Sequence, residues 1–302
     1  MFTMRKHVLL LYFFLYITQF NGVRADSLPV VLWHGMGDSC CFSFSLGAIK
    51  KLIENTIPGI YVYSIRLGNN EIEDVEHSYF GKVNEQVQKV CQQLIKNEHL
   101  KNGYNAIGFS QGAQLLRAVI QRCPNPPVKN FISLGGQHQG VFGLPHCGIS
   151  NRIICDYINR VIKYGVYLNT VQENFIQATY WHDPYQEEEY KKKSIFLADI
   201  NNERYINESY KENLQKLHAM VLVKFINDTI VWPSESELFG FYKTGQTSLI
   251  ETLEQSELYR KDRLGLKKLH DTGRIHFLSV DGDHLHFTED WFVDNIINKY
   301  LL

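Results

Sequence analysis

The chain has 302 residues, and its 31 Lys and Arg residues are balanced by 32 Asp and Glu residues, for a formal net charge of −1. This length is enough to bury a sizeable core, and it fits one α/β domain with insertions or two small domains. No basic run is long enough to indicate a nucleic-acid-binding patch, so nucleic acid is not an expected partner.

The first residues have the layout of a secretory signal peptide. A short basic start at Arg5 and Lys6 precedes an apolar run over residues 8–20, and small residues follow it. The alternative, a membrane anchor, needs about 20 apolar residues to span a bilayer, which is more than this run provides. We therefore predict a signal peptide over 1–25 and a mature chain over 26–302, with no later transmembrane segment.

The cysteines and glycosylation sequons agree with export. Six cysteines lie after the signal segment, an even number that suggests disulfides in an oxidising compartment: Cys40, Cys41, Cys91, Cys123, Cys147 and Cys155. Their pairing cannot be deduced from sequence, although Cys147 and Cys155 could close a short loop. None of the spacings resembles a zinc site. Asn207 and Asn227 each begin an N-x-S/T sequon and are predicted glycosylation sites.

Strand and helix signals alternate along much of the chain. The residue patterns predict strands over 29–33, 59–65, 104–109, 131–134, 194–197, 220–226 and 275–280. Helical periodicity appears over 84–96 and 111–122, and then in a last pair of adjacent segments, 153–167 and 168–176. Such alternation predicts a single α/β domain with a mostly parallel central sheet flanked by helices. The last helical stretch indicates an inserted helical cap at about 141–190, although ordinary peripheral helices would give the same pattern.

The sequence Gly108-Phe109-Ser110-Gln111-Gly112 follows one of these strands and opens a helix. This is the G-x-S-x-G context of a nucleophile elbow, in which a tight turn pushes the serine hydroxyl clear of the sheet. The helix N-terminus also favours negative charge at this point. An ordinary turn with Ser110 as a helix cap would share the letters. The strand–motif–helix context instead favours a catalytic Ser110 in an α/β-hydrolase fold.

An acyl-transfer site also needs N–H donors for the developing oxyanion. In this fold one donor comes from the residue after the nucleophile, here Gln111, and another from a loop after an early strand. In the loop after the first strand, Met36 lies between Gly35 and Gly37, which let its amide turn inward. His34 is a weaker candidate for a base, and we expect it to hold this loop by hydrogen bonds.

The base is expected late in the chain, because the triad of this fold follows the order serine, acid, histidine. Residues 281–284 (DGDH) follow the predicted strand over 275–280, which makes His284 the best placed histidine. His286 would enter the next helical segment, and His276 lies within the strand. We therefore assign the base to His284.

The acid is expected in a loop after an earlier strand. Asp228 comes just after the predicted strand over 220–226. Asp199 also ends a strand-like run, and Asp183 lies in a loop of the presumed cap. Order along the chain favours Asp228, which would accept the ring N–H of His284 and stabilise the imidazolium.

Longer runs of the sequence resemble the lysosomal palmitoyl-protein thioesterases of type 1 over essentially the whole mature chain. The runs that carry the resemblance are 33–41 (WHGMGDSCC), 103–112 (GYNAIGFSQG), 135–144 (GGQHQGVFGL), 180–184 (YWHDP), 195–201 (IFLADIN), 206–210 (INESY) and 282–285 (GDHL). Runs of this length are far more specific than a five-residue motif.

The resemblance implies hydrolysis of long-chain fatty acyl thioesters, with S-acylated proteins or peptides as substrates, in the lysosome lumen or outside the cell. No metal or organic cofactor is implied. The resemblance gives Ser110, Asp228 and His284 the roles of nucleophile, acid and base, and it points to Met36 and Gln111 for the oxyanion. We expect the acyl chain to lie in an apolar groove between the sheet edge and the inserted cap. The resemblance also implies three disulfides, Cys40–Cys41, Cys91–Cys123 and Cys147–Cys155.

Three positions depart from the family pattern. Lys192 occupies the asparagine position of a family sequon. Ala113 replaces a glycine on the helix that follows the nucleophile, and Trp232 replaces an aspartate, which would reshape the rim of the site. Two other functions fit much of the sequence: a luminal esterase that prefers acyl-CoA or glycerides, and a catalytically inactive lipid-binding module. The intact set of Ser110, Asp228 and His284 argues against the inactive module.

Overall fold

The computed structural model describes residues 27–143, 156, 160 and 165–302. Eight strands lie in this part of the chain: β1 (Val30–Trp33), β2 (Val62–Ser64), β3 (Tyr104–Phe109), β4 (Val128–Leu134), β5 (Ala219–Phe225), β6 (Phe241–Tyr242), β7 (Ile250–Glu251) and β8 (Ile275–Val280). Six of them form one sheet in the order β2-β1-β3-β4-β5-β8, and every neighbouring pair is parallel. β6 and β7 form a separate antiparallel pair.

Helices cover both faces of the sheet. In the described residues the α-helices are α1 (Leu46–Thr56), α2 (Glu71–Tyr79), α3 (Val83–Lys96), α4 (Gln111–Arg122), α5 (Asn169–Asn174), α6 (Glu187–Lys193), α7 (Leu197–Ile200), α8 (Glu208–Gln215), α9 (Glu257–Arg260), α10 (Leu266–Asp271) and α11 (Glu289–Phe292). The chain ends in a π-helix, Val293–Leu301. No helix in the described ranges is long and apolar enough to cross a bilayer.

The core is divided in two by the sheet. Successive side chains of a strand point to opposite faces, and in β1 Val31 and Trp33 join one buried cluster while Val30 and Leu32 join the other. The first cluster includes α3, α4 and the region between β4 and β5, and the second includes α1 and the C-terminal helix. Both faces are therefore covered, as the alternating pattern predicted.

Most predicted elements are confirmed, and three agree residue for residue: the strands over 104–109 and 275–280 and the helix over 111–122. The strand predicted over 194–197 is wrong, because residues 194–196 form neither strand nor helix and α7 begins at Leu197. Phe196, Leu197 and Ala198 are all fully buried. A short run that is buried on every side has no periodicity to distinguish a strand from a helix.

The cap predicted at about 141–190 falls between β4 and β5, and this part of the chain is called the inserted region below. Its described residues within 141–190 form α5, α6 and two 3₁₀ turns, Ile176–Tyr180 and Pro184–Gln186. They contribute no strand to the six-stranded sheet. Isolated bridges join Phe80 to Phe175 and Val141 to Trp181, which attach this region to the end of α2 and to the chain after β4.

The structure contains the disulfides Cys40–Cys41 and Cys91–Cys123. The second joins α3 to the residue after α4. The expected Cys147–Cys155 pair lies outside the described residues. Of the two sequon asparagines, Asn227 is exposed, and Asn207 caps α8 by accepting the N–H of Ser209 at 3.1 Å.

Candidate active site

The carboxyl ends of parallel strands meet at one edge of a sheet, and there they gather loops that are distant in sequence. The loop over 34–40 follows β1, and Ser110 follows β3. Asp228 and His284 come from the loops after β5 and β8. The order of the strands in the sheet therefore places every predicted catalytic residue at the same edge.

Ser110 occupies the tight turn between β3 and α4. Its backbone has φ 52° and ψ −123°, a conformation that non-glycine residues rarely adopt. Neighbouring backbone passes very close to this turn. A Cβ atom on Gly108 would lie 2.3 Å from the Cα of Ala113, and one on Gly112 would lie 2.4 Å from the carbonyl oxygen of His34. Both glycines of the motif are therefore required by packing.

Ser110, His284 and Asp228 form one hydrogen-bonded series. The Oγ of Ser110 lies 2.9 Å from Nε2 of His284, and Nδ1 of His284 is hydrogen-bonded to Oδ2 of Asp228. The other oxygen of Asp228 accepts the N–H groups of Ile230 and Val231, each at 2.7 Å. With the Nδ1 proton donated to Asp228, Nε2 can accept the serine proton. This arrangement supports nucleophilic attack by serine with a general base.

Asp228 is fully buried at its side chain. Burial alone would raise the pKa of this carboxyl group, but hydrogen bonds from His284, from Glu237 and from the N–H of Val231 outweigh burial and hold the pKa below its usual range. The carboxylate is therefore ionised at neutral pH, as it must be to stabilise an imidazolium.

The other acids and histidines considered above have different partners. Asp199 lies on α7 and accepts a hydrogen bond from Arg122 at 2.8 Å. Arg122 is the last residue of α4, at the opposite end of that helix from Ser110. Asp183 caps a 3₁₀ turn by accepting the N–H of Tyr185 at 2.9 Å. His276 lies within β8 and packs edge-on against a tyrosine near the C-terminus. The contacts of Asp199 and Asp183 therefore give both acids structural roles.

A buried pair of side chains holds the loop after β1. Oδ2 of Asp74 lies 3.2 Å from Nε2 of His34 and accepts the N–H of Cys40 at 2.9 Å. Its Oδ1 accepts the N–H of Leu67 at 2.8 Å. His34 thus holds the loop, as the sequence predicted. No sequence pattern pointed to Asp74, because it lies on α2 and reaches the loop only through the tertiary fold.

Each member of this pair stabilises the charged form of the other. Burial lowers the pKa of His34, but the adjacent Asp74 carboxylate outweighs burial and raises the pKa above the ordinary imidazole value. Burial raises the pKa of Asp74, but His34 and the N–H donors of Leu67 and Cys40 outweigh it and hold the pKa low. The paired imidazole and carboxylate therefore fix the backbone that leads to Met36.

The predicted oxyanion donors, Met36 and Gln111, lie on either side of Ser110 in the fold. A Cβ atom on Gly35 would lie 3.1 Å from Cβ of Ser110, so this loop passes directly against the nucleophile. Gln111 begins α4, where a helix leaves its first N–H groups without an internal acceptor. Across the described residues, neither the Met36 nor the Gln111 N–H has a hydrogen-bond acceptor. Both are therefore available to an oxyanion.

The side chain of Gln111 has a separate, structural set of contacts. Its Nε2 donates to the carbonyl oxygen of Ser78 at 2.9 Å. Its Oε1 accepts from Gln177 at 3.0 Å and from the hydroxyl of Tyr180 at 3.1 Å. These contacts join the start of α4 to α2 and to the inserted region, and they keep the Gln111 backbone in place beside Ser110.

A cavity of about 570 Å³ opens onto Ser110 and His284. Its walls come from the loop after β1, from α1 and from residues 285–289, and they include Met36, Phe44, Ile49, Ile230, Leu285 and Phe287. His286 and Glu289 supply polar groups to the same lining. This cavity differs from the expected groove between the sheet edge and the cap, because it lies on the α1 side of the sheet. Its volume is in the range of about 300–1,000 Å³ that is common for ligand sites.

Comparison with known proteins identifies the family. The sequence profile described as "Palmitoyl protein thioesterase" matches residues 29–284. The chain belongs to this family. It is 56% identical over 275 residues to Palmitoyl-protein thioesterase 1 of Caenorhabditis elegans, across 91% of this chain and 92% of that protein. It is 38% identical to Palmitoyl-protein thioesterase 3 of Dictyostelium discoideum, across 87% of each, and 28% identical to Lysosomal thioesterase PPT2-B of Xenopus laevis, across 92% of each.

Of the departures from the pattern of palmitoyl-protein thioesterases, Ala113 has a structural explanation. Ala113 is fully buried and faces two glycines, and a Cβ atom on Gly136 would lie 2.7 Å from its methyl group. The methyl group fits because Gly108 and Gly136 leave space for it. The backbone carbonyl of Trp232 accepts the N–H of Phe142 at 2.7 Å, a contact that any residue can make, so nothing in the structure explains the tryptophan itself.

We predict that Asp228→Asn lowers kcat by roughly ten-thousand-fold, because an amide no longer selects the His284 tautomer that accepts the serine proton. The matched control is Asp199→Asn, which removes a carboxylate bound to Arg122 and is expected to retain most activity. Steady-state turnover of an acyl thioester measures both variants, and the substitution at 228 preserves the sequon at Asn227. The opposite ranking of the two variants would assign the acid to Asp199.

We also predict that Asp74→Asn lowers kcat by about a hundred-fold with little change in KM, because loss of one oxyanion donor costs that much in a comparable site. The amide cannot accept both N–H groups and leaves His34 without its counter-ion, so the loop that carries Met36 is displaced. Glu76→Gln, an exposed position on the same helix, is the control. Equal kinetics for the two variants would contradict the proposed role of the loop.

Proposed function

We propose that the chain hydrolyses the thioesters that join long-chain acyl groups, such as palmitoyl, to protein cysteines, through an acyl-Ser110 intermediate. The observation that carries the proposal is the hydrogen-bonded series of Ser110, His284 and Asp228. Membership of the palmitoyl-protein thioesterase family supports the substrate class. The apolar cavity beside Ser110 supports binding of a long acyl chain.

The reaction follows from the positions of these groups. Nε2 of His284 takes the hydroxyl proton as Oγ of Ser110 attacks the thioester carbonyl carbon, and the N–H groups of Met36 and Gln111 hold the oxyanion. The C–S bond then breaks, and the proton on Nε2 passes to the leaving sulfur, which departs as a cysteine thiol. Water attacks the acyl-serine with His284 again as base, and this releases the fatty acid and regenerates Ser110. Asp228 stabilises the imidazolium in both steps.

We further propose that the functional form is the single domain over 26–302, with its helical insertion, in the lysosome lumen or outside the cell. The apolar N-terminal run supports export. Glycosylation at Asn207 and Asn227 and a third disulfide between Cys147 and Cys155 belong to the same proposal. Similarity to a lysosomal thioesterase of Xenopus laevis supports the luminal address.

The proposal predicts that the wild type cleaves a palmitoyl-cysteine peptide, and that Ser110→Ala is slower by on the order of a million-fold, as for the loss of a catalytic serine elsewhere. The measurement compares this thioester with a palmitoyl-serine peptide and with palmitoyl-CoA. Circular dichroism checks that the variant is folded. Ser43→Ala, an exposed position near the cavity, is the matched control and is expected to behave as the wild type.

Three outcomes would contradict this function. Faster cleavage of the serine ester would assign the site to an esterase, and faster cleavage of palmitoyl-CoA would assign it to a different thioesterase class. Failure of a fluorophosphonate probe to label Ser110 would indicate a lipid-binding module without a reactive nucleophile.

A further inference from the structure

Glu237 is a buried acid that the mechanism above does not use. It lies in the 3₁₀ turn Ser234–Leu238 and is 1% exposed. Its Oε2 accepts the N–H of Phe225, the last residue of β5, at 2.8 Å. This hydrogen bond fixes Glu237 beside the strand end from which the loop of Asp228 departs.

The rest of the Glu237 carboxyl group faces the catalytic acid. Glu237 and Asp228 are hydrogen-bonded to each other. One carboxyl oxygen of Glu237, one of Asp228 and a ring nitrogen of His284 all lie within 4.8 Å of one another. Oε1 of Glu237 is buried and has no donor in the part of the chain that the structure describes. An ionised carboxylate can only accept hydrogen bonds, and two like charges this close repel strongly. One of the two carboxyl groups must therefore carry a proton.

The surroundings decide which group carries it. Asp228 accepts hydrogen bonds from His284 and from two backbone N–H groups, which favour its ionised form. Among the described residues, Glu237 accepts a hydrogen bond only from the N–H of Phe225. Burial, and then the adjacent Asp228, raise the pKa of Glu237 to about 11. Lys224, a nearby cation, is paired with Glu235 at 2.7 Å. The proton therefore belongs to Glu237.

We propose that Glu237 is a positioning residue for the catalytic acid: its neutral carboxyl group donates a hydrogen bond to Asp228 and holds that carboxylate facing His284. The inference rests on the proposed acyl-transfer role of Asp228. Glu237 keeps its proton throughout the reaction, so it is neither a general acid nor a ligand for the substrate. A neutral Glu237 also avoids adding a second negative charge to the buried site.

The first test detects the proton on Glu237 from the pH dependence of unfolding, without measuring catalysis. Unfolding of the wild type and of Glu237→Gln by denaturant is compared at about pH 5.5, 6.5 and 7.5, above the ordinary glutamate pKa of about 4.3. The wild type loses the Glu237 proton on unfolding, whereas the glutamine has none to lose. The ratio of unfolding constants, wild type over variant, should rise about tenfold per pH unit.

The control for this test is Glu235→Gln, which removes a half-buried carboxylate paired with Lys224 and is expected to give a ratio that does not change with pH. The other charged or titratable groups around Glu237 are Asp228, His284, Lys224 and Glu235. They are common to the wild type and to Glu237→Gln, so their own titration largely cancels in the ratio. A ratio for Glu237→Gln that stays constant over the same range means an ionised Glu237 and overturns the proposal.

The second test measures whether Glu237 positions Asp228 for catalysis. Glu237→Met should lower kcat on the palmitoyl thioester by about 10–100-fold, as for other residues that orient a reacting group, with little change in KM. Glu237→Gln should recover most of this loss, because its amide can donate to Asp228 and accept the N–H of Phe225. Near-UV circular dichroism gives the folded fraction of each variant. A glutamine variant as slow as the methionine variant would refute the neutral donor.

The rate at which a fluorophosphonate labels Ser110 gives the same comparison without any thioester. Slower labelling of Glu237→Met, recovered in Glu237→Gln, supports the positioning role of Glu237, and equal labelling of all three proteins overturns it. If the wild type were labelled at Ser110 but did not cleave the thioester, the proposed substrate would fail. The role of Glu237 would still be decided by the labelling rates and by the unfolding ratio.

Discussion

The backbone of Ser110 is the constraint on which the site depends. A non-glycine residue in such a conformation costs on the order of 1–3 kcal/mol, and it persists only where the surroundings hold it. Here β3 and α4 are both buried, and the glycines at 108 and 112 let them approach closely. One turn therefore has two results: it directs the serine hydroxyl towards His284, and it leaves the N–H of Gln111 free at the start of a helix.

The loops around this turn solve a second problem, the burial of charge. An isolated ion in a protein interior is strongly unfavourable, so it must be paired or neutralised. The site uses both solutions. His34 is paired with Asp74, and Asp228 is stabilised by His284 and by backbone N–H groups. Glu237, beside Asp228, is neutral in our proposal. Each solution also fixes a backbone segment that borders Ser110.

The sequence predicted the parts of the site that local patterns determine. Gly108 to Gly112 identified the turn, because its glycines are required by contacts within the motif and with the adjacent strand. His284 and Asp228 followed from the order of elements along the chain. Asp74 and Glu237 could not be found in this way, since each meets its partner only after distant segments pack together. For the same reason the buried segment over 194–197 was predicted as a strand, although it contributes to α7.

Buried ionisable groups also link the fold to pH. Burial lowers the pKa of His34 and of His182, but Asp74 and Glu187 outweigh it and raise both above the ordinary value of about 6.5. The stabilisation from these histidines is complete below about pH 6.5 and is lost as pH rises through the raised values. The pKa values of Asp74 and Asp228 are lowered, so their stabilisation is present above about pH 3.9 and is lost as pH falls through the lowered values. These groups together favour the folded state in mildly acidic solution, which agrees with the luminal address we propose.

The reaction has the opposite preference, because an imidazole acts as a base only in its neutral form. In the acidic lumen that we propose, a hydrolase with a histidine base would therefore work where its fold is favoured, on the acidic side of the pH that favours its chemistry.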